Sequence, residues 1–121
     1  MKYIITDKPV TIPTPGNKII EEYIGRIATH QNELSVARMM APPGWSEPGQ
    51  KPEFDEVTIV IRGKLMITID RREETELHQG STLWLKRGVH VEYSNPFLEE
   101  CEYWAICVPA FSIEMANREP S

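Results

Sequence analysis

The feature that most constrains this chain is a succession of short apolar or alternating runs: "ELSVARMMA", "DEVTIVIRG", "KLMITIDR", "STLWLKRG", "HVEYSN" and "CEYWAICVPA". Turn signals part them, among them "PPG", "IRGK", "RREE", "HQG" and "SNP". Alternation with period two sends successive side chains to opposite faces of a strand, and turns at close intervals leave no room for long helices. Many short strands at regular spacing predict an all-β sandwich or barrel. The stretch "NKIIEEYIGRIATHQ" has helical spacing, but Gly25 interrupts it and two strands fit it about as well.

A chain of 121 residues is long enough to bury one core without disulfides or a structural metal. We read one domain over residues 1–121: an N-terminal arm and first strands over 1–33, the barrel over 34–110 and a C-terminal tail over 111–121. The 10 prolines fall mostly in the first 52 residues and at the chain end, which keeps the central runs free to pair. Cys101 and Cys107 lie in one strand-like run, about 20 Å apart at ~3.3 Å per residue, so they are expected as buried thiols. The N-terminus lacks the apolar run of a signal peptide, and no segment approaches a membrane span, which predicts a cytoplasmic protein without a membrane partner. With 18 acidic against 13 basic residues the net charge is -5, and from that balance no nucleic-acid partner is expected.

Two of these runs carry a resemblance. "DEVTIVIRG" resembles the second half of cupin motif 1, in which a Glu precedes a Gly by seven residues, here Glu56 and Gly63. "GSTLWLKRGVHVEYSN" has the spacing of cupin motif 2, with Gly80 opening it, Gly88 at the turn and Asn95 closing it. The chain is thus similar to the small RmlC-like cupins, and in the combination of its strands to the ethanolamine-utilization cupins of the EutQ type. The resemblance implies a double-stranded β-helix, a jelly-roll barrel of two facing sheets, here with an N-terminal extended arm.

The same resemblance shows where a metal-bearing cupin keeps its histidines, and those positions hold Gly49, Lys51 and Val91. Glu56 alone cannot supply the donors that a first-row metal requires. No metal or other cofactor is therefore expected; the alternative is a divalent transition metal, with His90 entering the site through a one-residue bulge.

Without a metal the barrel mouth is read as a polar site. If Glu56 points inward, Thr58 shares its face while Val57, Ile59 and Ile61 face out. An inward Glu56 either pairs with a cation such as Lys51 or Arg38, or keeps its proton through desolvation. It is then a structural ion pair or a general acid or base. The cupin register turns Val91 and Tyr93 inward and His90 and Glu92 outward, although the turn after Gly88 leaves that register soft. The candidate catalytic residues are Glu56, His90 and Tyr93. The candidate ligand-binding residues are Arg38, Trp45, Glu47, Lys51, Thr58, Glu92 and Tyr103, with Trp45 and Glu47 on the loop covering the mouth.

The leading functional expectation is a metal-independent small-molecule cupin, possessing at most isomerase- or lyase-type proton-transfer chemistry at Glu56. The alternatives are a metal-dependent dioxygenase or decarboxylase with a degenerate ligand set, and a non-catalytic accessory protein of the ethanolamine-utilization type. Apolar outward positions such as Ile59 and Ile61 further suggest a homodimer.

Overall fold

The computed structural model describes residues 2–14 and 16–120. The described strands are β1 (Val10–Ile12), β2 (Ile19–Ile24), β3 (Ser35–Ala41), β4 (Asp55–Arg62), β5 (Lys64–Ile69), β6 (Glu73–His78), β7 (Thr82–Leu85), β8 (Val91–Ser94) and β9 (Cys101–Val108), followed by helix α1 (Ile113–Ala116). All pairings are antiparallel, and they build a six-stranded sheet in the order β1-β2-β3-β9-β4-β7 facing a three-stranded sheet in the order β6-β5-β8. This is the all-β double-stranded β-helix that the runs and the motif spacing predict. No helix among the described residues is long and apolar enough to cross a membrane.

Period two governs which side chains enter the barrel. Glu56, Thr58 and Val60 of β4 are buried, as are Cys101, Tyr103, Ala105 and Cys107 of β9 and Val91 and Tyr93 of β8. Leu65, Ile67, Leu77 and Leu85 close the core between the sheets.

The structure departs from the sequence reading in three places. The helix-or-strand stretch is strand β2 followed by a turn over residues 26–29, so the arm joins β3 as part of the larger sheet. The turn signal at Gly63 does not join neighbouring strands of one sheet, since β4 and β5 lie in different sheets and Gly63 carries the chain from one to the other. Gly63 has φ +81, and a Cβ there would stand 2.4 Å from the Glu100 carbonyl oxygen, which explains why the crossing needs glycine. Strand β6 is absent from the predicted runs because four of its six residues, Glu73 to Glu76, are polar and exposed, and only Leu77 is buried.

The loop between β3 and β4 covers one end of the barrel. Asn95, wholly buried, fastens it by donating from Nδ2 to the Ala41 carbonyl at 3.0 Å and to the Glu99 carbonyl at 2.8 Å. Ser46 and Gln50 bridge to Ser94 and Val91, and Arg118 of the C-terminal segment bridges Gln50 from the other side. Arg118 therefore extends the cover over the barrel mouth.

Candidate functional site

Three cross-strand rows on the inner face of the larger sheet define the interior site. Glu56 faces Cys107, which faces Ser35; Thr58 faces Ala105 and then Ala37; Val60 faces Tyr103 and then Met39. The small side chains of Ala37 and Ala105 in the middle row leave a cavity of ≈ 40 Å³. A water needs about 10–15 Å³ by the same measure, so the cavity has room for only a few waters.

Glu56 sits at one wall. The Tyr93 hydroxyl donates to its Oε1 at 2.7 Å, and Cys107 Sγ lies 3.4 Å from its Oε2. Burial pushes the Glu56 carboxyl above its ordinary range, against the lowering effect of those two hydrogen bonds. Burial likewise raises Tyr93 and Cys107 well above their usual values, and the neighbouring Glu56 charge adds to both. Burial therefore favours the protonated form of all three groups.

The opposite wall holds a buried ion pair. Lys18 Nζ stands 3.2 Å from Glu47 Oε2, with the side chains 3% and 7% exposed. The same ammonium donates to the Tyr103 hydroxyl at 3.1 Å and lies 4.4 Å over the Trp45 ring. Arg118 approaches Glu47 to 3.8 Å, so the carboxylate faces two cations. Glu22 is buried with its carboxyl beside Gly25, towards Ser35; burial raises its pKa, while the backbone amides of Ala28, Ile27 and Arg26 oppose the rise.

Several candidate residues meet here and several do not. Glu56, Tyr93, Glu47 and Tyr103 line the cavity. Thr58 and Trp45 are buried next to it, as core side chains. Arg38 does not reach it: its parity on β3 is opposite to that of the inward Ala37, so its guanidinium lies outside, bonded to Glu102 and Glu21 at 2.8 Å each. Lys51 is exposed on the covering loop and Glu92 faces away on β8, opposite Thr68. Neither Lys51 nor Arg38 answers Glu56; Tyr93 and Cys107 do. His90 points out of the barrel beside Gly49, where an added Cβ would come within 2.6 Å of the imidazole. Its Nε2 lies 3.4 Å from Glu119 Oε1, which places it on the C-terminal segment and away from the interior.

Sequence reasoning missed Lys18, Glu22, Gln50, Cys107 and Arg118 as lining residues. For Lys18 and Glu22 a signal existed: Lys18, just before β2, alternates with Ile20 and Glu22 of that strand as one buried face. The cupin resemblance sets the metal-ligating histidines at Gly49, Lys51 and Val91, and none of these side chains offers an imidazole. Among the described residues no group of three or more His, Cys, Asp or Glu side chains converges to hold a metal ion.

Comparison with known proteins places this geometry. No protein-family model matches the chain. An RmlC-like cupin from Methanocaldococcus jannaschii superposes with a TM-score of 0.70 at 14% identity, covering 90% of this chain and 93% of its own. An ethanolamine utilization protein Q from Salmonella typhimurium LT2 superposes at 0.62 with 15% identity, over 80% of this chain and 73% of its own. At such identities the likeness is one of fold, and the fold of this chain is that of the RmlC-like cupins. In sequence, 108 residues, or 89% of the chain, are 47% identical to the Myxococcus xanthus (strain DK1622) protein named endoribonuclease YbeY. The chain spans 36% of that relative's length.

That last similarity corrects two expectations. The name of that relative, an endoribonuclease, runs against the small-molecule cupin of isomerase or lyase type, the dioxygenase or decarboxylase, and the accessory protein of ethanolamine utilization. It also removes the ground for setting nucleic acid aside and for naming a small molecule as the partner. A net charge of -5 describes the whole surface and does not forbid a local excess of cations.

Proposed function

We propose that this chain acts in RNA processing in the cytoplasm, as the cupin-fold part of an endoribonuclease system like the Myxococcus xanthus relative. The observation that carries the reading is the 47% identity over 108 residues to that protein. The chain corresponds to about a third of the relative, so bond cleavage is assigned to the remainder and the barrel to holding or placing the RNA. Two features of the barrel support this division. Its cavity of ≈ 40 Å³ is far too small for a nucleotide, and the interior acid Glu56 is closed in by Tyr93 and Cys107. In this reading Glu56 and Tyr93 order the interior, the Lys18–Glu47 pair and Trp45 hold the covering loop, and His90 packs against the C-terminal segment beside Glu119.

Formaldehyde crosslinking in the host, recovery of the chain and sequencing of the attached RNA tests the reading whether contact is direct or through a partner. Enrichment of RNA precursors over an uncrosslinked control is the expected result. RNA recovery equal to that control would overturn it.

A further inference from the structure

Trp84 stands 65% exposed on β7, the outermost strand of the larger sheet. Of the other two tryptophans, Trp45 is 4% exposed and Trp104 is half-buried. A large aromatic ring left open to water on a sheet edge loses the burial that would stabilise it as a core residue, so its surroundings bear on its use. The Lys86 ammonium lies 4.4 Å over the ring centroid. Arg87 follows directly, and both cations face the single carboxylate of Asp55, at 3.6 Å from Lys86 and 3.1 Å from Arg87. The Lys86 and Arg87 side chains are 60% and 54% exposed. Two cations against one carboxylate leave the cluster with a surplus positive charge beside an open indole.

We propose that Trp84, Lys86 and Arg87 form a contact for single-stranded RNA. A base stacks on the free indole face, and the two cations take the phosphates on either side of it. Stacking suits an unpaired strand, since any base offers a π-face, whereas a duplex keeps its bases stacked on one another. The flexible Lys86 can leave the ring for a phosphate, and Asp55 keeps the Arg87 fork oriented by accepting from the Arg87 backbone amide at 2.9 Å, from Nε at 3.1 Å and from Nη2 at 3.4 Å. A protein partner burying Trp84 would have to desolvate the surplus cation as well, which favours a polyanion as the occupant. The choice of RNA among polyanions rests on the RNA-processing reading above.

The test is titration of the full chain with an oligoadenylate about ten nucleotides long, followed in the parent by tryptophan emission and, in parent and variants alike, by the anisotropy of a dye on the oligoadenylate, because the Trp84 variants lack the emitting ring. Saturable quenching is expected, with affinity falling as salt rises. Trp84→Ala should weaken binding by about fivefold or more, and Trp84→Phe should retain most of it. Lys86→Ala together with Arg87→Ala should lower affinity and flatten the salt dependence. Absence of saturable quenching, equal binding by parent and Trp84→Ala, or a parent dimer in which Trp84 is buried, would each overturn the contact. If any of these occurs while RNA is still recovered by crosslinking, the contact fails and the RNA-processing reading stands; loss of both results removes the reading itself.

Discussion

The Tyr93 hydroxyl lies 2.7 Å from Glu56 Oε1 with both side chains enclosed by the barrel, and this pair sets how the interior responds to pH. Glu56 has a folded pKa above its ordinary 4.5, chiefly because burial disfavours the charge. An acid with a raised folded pKa holds its proton more tightly when folded. Its contribution is full below 4.5 and is lost as pH rises through the folded value. Thermal unfolding between acid and neutral pH should therefore show a decline in Tm that Glu56→Gln reduces, since the amide still accepts from Tyr93 but carries no charge. Identical pH slopes for parent and variant would contradict this.

Asp55 works with the opposite sign. The Arg87 side-chain hydrogen bond, aided by the Arg87 backbone amide, lowers its carboxyl from 3.8 to about 2. Its contribution is present above 3.8 and lost as pH falls through about 2. Asp55→Asn should leave less stability to lose in that window, and acid unfolding followed by circular dichroism reads the difference. An acid limb unchanged by the substitution would count against the Asp55–Arg87 contact.

The Lys18–Glu47 pair should be costly to break from one side. Both side chains are buried, so Lys18→Met leaves a carboxylate inside the barrel with only the more distant Arg118 at 3.8 Å. Removing one partner of a buried pair typically costs about 3–5 kcal/mol. Replacing both, as in Lys18→Met with Glu47→Leu, should recover most of that loss in denaturant unfolding. A single variant within about 1 kcal/mol of the parent would mean that the pair is not held as described.

Gly63 and Gly80 separate backbone strain from steric overlap. Both have positive φ, +81 and +90, but a Cβ at Gly80 meets nothing within 4 Å while one at Gly63 meets the Glu100 carbonyl at 2.4 Å. Gly80→Ala should cost about 1–2 kcal/mol, the usual penalty of the left-handed region. Gly63→Ala should cost clearly more, measured by the shift in denaturation midpoint. Equal shifts would remove the overlap as the reason for glycine at the sheet crossing.

Much of the barrel was legible because its strands alternate strictly. In β4 both faces carry apolar side chains, so alternation only puts Glu56 and Thr58 on one face, and the cupin resemblance is what turns that face inward; in β9 alternation likewise puts Tyr103 and Cys107 on one face. What alternation cannot give is which strands become neighbours. The contact of Cys107 with Glu56 exists only because β9 inserts between β3 and β4, a pairing that no local pattern encodes. Arg38 was misplaced for a related reason: its charge suggested a partner for Glu56, but its parity sends it to Glu21 and Glu102 on the outer face. Lys18 escaped notice because a lysine in an arm reads as solvated, whereas the covering loop brings Glu47 and Trp45 down over it. Strand β6 has a polar exterior and derives its order from pairing with β5, so its own residues signal a turn.

The central claim, that this chain takes part in RNA processing, is tested most directly by depleting it in its host and mapping RNA ends across the transcriptome. The account predicts precursor ends that accumulate on depletion and disappear when the full chain is restored. End maps that stay the same through depletion and restoration would contradict it.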